Sequence, residues 1–168
     1  METNNKKNVA TFTHLSALAQ YFIPFGGFIF PIIIWSSAKN DSDYVDHHGT
    51  QAINFQLSIF LYSLLLAMIA IPVLVMTLFK NVPIGSFLDG DVNIGDDFTP
   101  AHITGIAVIA VMALIIFCFL KIAEFFLIIY AAVKAANGEL YQYPLSINFI
   151  KPTPQPVIKH EPIIEAEA

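Results

Sequence analysis

Five residues able to donate or accept hydrogen bonds, His47, Gln51, Asn54, Ser58 and Tyr62, follow one another at spacings of four, three, four and four. At about 100° per residue they form one narrow stripe along a helix. On a membrane helix such a stripe should not face lipid, where unsatisfied polar groups are costly. Two chemistries fit it. It could line a hydrophilic groove, or it could make interhelical hydrogen bonds, worth about 0.6 kcal/mol each inside a membrane.

A second constellation is Lys121 with Glu124, three residues apart in a long apolar run and therefore on one helix face. Charges at that depth are rare and by default mark a functional site facing the protein interior. Pairing with each other gives a purely structural alternative. A third group, Asp41, Asp43, Asp46, His47 and His48, resembles a metal cluster at first glance. Adjacent histidines on a helix point about 100° apart, however, and no His-x3-His or Cys spacing supports chelation. Asp46 suits the positive end of the helix that follows it. Cys118 lies inside an apolar run and reads as a small packing residue. There is no Walker loop, no dinucleotide glycine motif and no Gly-x-Ser-x-Gly elbow. No catalytic residue, cofactor or metal is expected.

The elements that must position these residues are long and apolar. Of 168 residues 56% are hydrophobic and 12% charged, with mean hydropathy +0.65, against roughly 25% charged in a soluble domain. Residues 14–35, 52–79 and 103–133 form three apolar segments, and roughly 20 apolar residues suffice to cross a bilayer. The first is divided by Pro24, Gly26 and Gly27 into halves too short to span, which makes it either a kinked crossing or a re-entrant hairpin. Residues 1–13 are polar and Asn-rich and should be mobile. The tail 151–168, with Pro152, Pro154, Pro156 and Pro162, should be extended and disordered. Lys134 and then Asn137-Gly138 mark the end of the third helix. Tyr141 and Tyr143 suit a membrane–water interface.

The charge balance of -5 comes from 13 acidic residues against eight lysines without an arginine, which excludes a phosphate-tracking nucleic-acid surface. With a re-entrant first segment, six lysines share one side and Lys80 stands alone on the other. The acidic loop bearing Asp89, Asp91, Asp96 and Asp97 then lies outside the cytoplasm.

Three ordered motifs resemble a known family. They are His14-Leu15-Ser16-Ala17-Leu18 with Ile23-Pro24-Phe25-Gly26-Gly27 and Pro31 to Trp35; Val45 to Gln56; and Ala131 to Glu139 followed by Tyr143-Pro144-Leu145. Together they are similar to a widespread bacterial membrane family in the Tic-like group, named for the twenty-kilodalton component of the chloroplast inner-envelope import translocon. The resemblance implies a helical fold in a bacterial cytoplasmic membrane and permits a channel analogy.

The sequence therefore predicts an all-α integral membrane protein with two firm transmembrane helices, one Pro/Gly-broken segment, and a helical domain over 14–150. Its expected partners are the bilayer and either further copies of itself or other membrane proteins. The expected function is a non-enzymatic membrane component. The alternative is a small channel or transporter lined by Gln51, Asn54, Ser58, Tyr62, Lys121 and Glu124.

Overall fold

Helix-breaking chemistry in the first apolar segment decides the topology. In the computed structural model, which describes residues 3–40, 42–79 and 100–152, α1 (Asn4–Ser16) runs into a 3-10 turn over Ala17–Tyr21 and stops. The chain reverses at residues 22–25, where Phe25 adopts a left-handed φ of 61°, and α2 (Gly26–Ala38) returns along the path it came from. The return is close because two glycines make it so. A Cβ on Gly26 would lie 2.8 Å from the Ala19 carbonyl oxygen, and one on Gly27 3.1 Å from that of Ala17. The broken segment is thus a hairpin, and α2, about 20 Å long at 1.5 Å per residue, is too short to cross a bilayer.

The N-terminal residues expected to be mobile instead form α1. Ala10 is fully buried against Tyr44 and Ala135, and the helix packs on both long helices. Its Asn-rich composition conceals this because packing, rather than intrinsic propensity, supplies most helix stability in proteins. The second and third helices are also longer than expected: α3 is Asp43–Phe79 and α4 is Pro100–Asn137. Ser42 starts α3, its Oγ accepting from the Tyr44 N–H at 3.3 Å, with Asp43 and Asp46 in the first turn. Helix α4 ends as its sequence suggests. Gly138, at φ 82°, donates to Ala135 and Glu139 donates to Lys134, the paired bonds of a left-handed helix stop.

Asp43–Val75 and Ala107–Asn137 are each long and apolar enough to cross a membrane. Their packed halves hold α1, the 3-10 turn and α2 around a core of Ala17, Phe55, Ile59, Ile128, Ala131 and Tyr143. The remaining halves present Leu64, Leu65, Met68 and Ile69 on α3 and Val111, Met112, Leu114 and Ile115 on α4. The acidic loop and almost all of the Pro-rich tail lie outside the described residues.

Candidate functional site

The α3 stripe is occupied by the protein's own backbone. After Glu139 the chain leaves α4 as a non-helical strap over residues 139–150 and lies along the stripe. His47 Nε2 contacts the Tyr141 carbonyl at 3.2 Å, and the Tyr143 N–H donates to Gln51 Oε1 at 3.4 Å. The strap turns at Pro144–Leu145, where Leu145 has φ 65°, and the Tyr62 hydroxyl donates to the Leu145 carbonyl at 2.8 Å. It then runs back, its Ile147 N–H donating to Ser58 Oγ at 2.8 Å. Asn54 closes the series with both ends of its amide, accepting from the Ile150 N–H and donating to its carbonyl, each at 2.8 Å. A helix face thereby satisfies backbone groups of a non-helical segment that, among the described residues, has no strand to pair with. The stripe does make hydrogen bonds, but to a non-helical segment of the same chain rather than to a second helix as its interhelical reading had it.

Histidines and aromatic groups lock the strap to α1. The Tyr143 hydroxyl lies 3.0 Å from His14 Nδ1, and His14 Nε2 lies 2.8 Å from His48 Nδ1. One proton on each imidazole satisfies both contacts, in either direction. Burial, reinforced by the charges of His48 and His47, holds the His14 imidazole well below the ordinary histidine range. Burial likewise pushes the Tyr143 phenol well above its usual value, with Tyr141 and Glu124 adding to the effect. Tyr143, expected at a membrane–water interface, is buried and stacks on Phe55 with ring centroids 4.0 Å apart.

The Asp/His group does not converge. Asp46 Oδ1 accepts from Trp35 Nε1 at 2.8 Å, tying α2 to α3, while His47 and His48 turn to different partners. No group of three or more metal-ligating side chains occurs among the described residues, and Asp41 lies outside them. The Trp35 ring covers Gly49, where a Cβ would come within 2.0 Å of it.

Lys121 and Glu124 pair as their spacing suggests, with Nζ 2.8 Å from Oε2. Glu124 is fully buried, and its Oε1 accepts from Gln20 Nε2 at 2.7 Å. Gln20 Oε1 in turn lies 3.4 Å from Lys121 Nζ, which makes the pair a triad across the hairpin and α4. Sequence reasoning missed Gln20, His14 and Gln56. The first two were legible only as polar residues within an apolar segment, and Gln56 as the i−7 neighbour of Ser63 on a second polar face of α3.

Two long apolar helices, a broken hairpin between them and a strap sealing their polar face define a helical membrane protein. Residues 5–150 match the magnetosome magnetite crystal formation protein family (MamF/MmsF), and the chain belongs to that family. No curated protein and no solved structure matches it. The Tic-like assignment is thereby overturned, and the channel analogy that rested on it falls. Pro24-Phe25-Gly26-Gly27 and Asn137-Gly138, two of the motifs behind that resemblance, build a hairpin and a helix stop, which are backbone requirements and carry no function of their own.

Proposed function

We propose that this protein is a non-catalytic component of the magnetosome membrane that takes part in magnetite crystal formation by assembling with itself or with partner membrane proteins. The family's description supplies the process. One observation favours this reading over a conduit: the polar face of α3 that would have lined one gives Gln51, Asn54, Ser58 and Tyr62 to the strap backbone. The Lys121–Glu124 charges are likewise taken up within the triad with Gln20. In this reading the cytoplasmic membrane expected from sequence gives way to the magnetosome membrane. Deleting the coding sequence and measuring crystal dimensions by electron microscopy tests the process, with the tagged protein followed into purified magnetosomes. Altered crystals restored by the wild-type chain are expected; unchanged crystals refute it. Ion flux through vesicles containing the purified protein, abolished by Asn54→Leu, would revive the channel alternative.

A further inference from the structure

On the face of α3 turned toward the hairpin, Gln56, Ile59, Phe60 and Ser63 join Gln20, Phe28, Phe117 and Lys121 around a cavity of about 250 Å³. Its position is notable on both helices. Ile59 stands at the centre of the Asp43–Val75 candidate span, and Lys121 lies next to the centre of Ala107–Asn137. The cavity is therefore about midway along both apolar helices. Two polar groups of its lining have no partner. Gln56 is 2% exposed, and neither its Nε2 nor the Ser63 Oγ has a hydrogen-bond partner. Lys121 Nζ, at the edge of the cavity and partly exposed, gives one short bond to Glu124 and a long one to Gln20, which leaves a third N–H to donate. Buried donors left unmade are costly, so such a group of them points to a missing acceptor.

We propose that this cavity binds the neutral carbonyl head of an amphiphile drawn from the bilayer, with Gln56, Ser63 and Lys121 donating to its oxygen atoms. The ligand is an acceptor because Gln56 Nε2 and Lys121 Nζ can only donate and the Ser63 hydroxyl can donate with them. It is neutral because Lys121 is already matched by the Glu124 carboxylate 2.8 Å away, and a second anion would place two negative charges on one ammonium in low dielectric. It comes from the bilayer because Phe60 and Phe117, 50% and 41% exposed, stand at the cavity beside apolar helix faces. The volume is below the roughly 300 Å³ at which drug-sized pockets begin, which suits a head group whose tail remains in lipid. Two sources share this chemistry, a quinone ring and the acyl ester of a glycerolipid. Phe28 and Phe60, edge to face at 5.9 Å, and Phe117, its centroid 6.0 Å from Lys121 Nζ, offer aromatic contact to a flat ring.

The test is equilibrium binding to the purified full chain in nanodiscs. The probes are a tritiated benzoquinone with a ten-carbon tail, the methyl ester of a ten-carbon fatty acid, and the free acid as the charged control. At least one neutral probe should saturate, with the free acid at least tenfold weaker. Saturation by the quinone alone assigns a flat ring, by the ester alone an acyl carbonyl, and by both the shared chemistry. Gln56→Met, close in volume but without donors, should weaken binding about five- to tenfold, and Ser63→Ala about threefold. Ser63→Ala removes a single oxygen atom, so it decides the question if Gln56→Met fails to fold. Absence of saturable binding by both neutral probes, as for a cavity holding only water, overturns the proposal. Tightest binding by the free acid, or parental affinity in the folded variants, overturns it equally.

Discussion

Replacing Asn54 with leucine removes both hydrogen bonds that hold the end of the strap, at Ile150 N–H and Ile150 C=O. Asn54 is fully buried, and the groups its loss leaves unpaired are the N–H and C=O of the partly buried Ile150. Membrane hydrogen bonds average about 0.6 kcal/mol, which sets a lower value near 1.2 kcal/mol for two. Values from soluble proteins, about 0.5–1.5 kcal/mol each, raise the upper value to about 3 kcal/mol. Asn54→Leu should therefore cost about 1–3 kcal/mol in denaturant unfolding in mild detergent, and the strap should become sensitive to limited proteolysis. Ser58→Ala removes the acceptor for Ile147 N–H and should cost about 1 kcal/mol. Tyr62→Phe removes one bond from a partly exposed hydroxyl and should cost about 0.5 kcal/mol. The ranking is the content of the prediction. A Tyr62→Phe loss as large as that of Asn54→Leu, or a strap equally resistant in all three variants, would refute the view that α3 anchors it residue by residue.

Lys121→Leu and Glu124→Leu should each lower the yield of folded protein more than the double variant does, since removing one partner leaves a charge unmatched in a buried site; quantitative membrane-fraction blots read this, and Gln20→Leu should cost less than Glu124→Leu. Because His14 is held neutral with its pKa lowered, its contribution to stability is complete above the unfolded value of about 6.5 and is lost as pH falls below it. Unfolding measured between pH 7.5 and 5 should show a falling leg of at most about 1.4 kcal/mol per unit from this residue, reduced in His14→Leu. Gly49→Ala should displace the Trp35 ring and cost about 1–3 kcal/mol by overpacking, with a shift in Trp35 fluorescence as the Asp46 bond is disturbed.

Much of the architecture was legible in residue order because its causes are local. Long apolar runs show α3 and α4, Asn137-Gly138 shows where α4 stops, and the three-residue spacing of Lys121 and Glu124 places both on one face. The 3.6-residue period likewise exposed the α3 stripe. What meets that stripe was not legible, because the strap binds through backbone N–H and C=O groups that every residue carries, and its side chains leave no pattern. Nor could spacing show that Gln20 completes the Lys121–Glu124 pair, or that His14 reaches His48 and Tyr143, since those contacts join segments far apart in sequence. Pro24, Gly26 and Gly27 announced a break, yet kink and hairpin share the same breakers. Tertiary packing decided between them: with no side chain at Gly26 or Gly27, the returning helix can lie against Ala17 and Ala19, and this contact turns the broken segment back on itself.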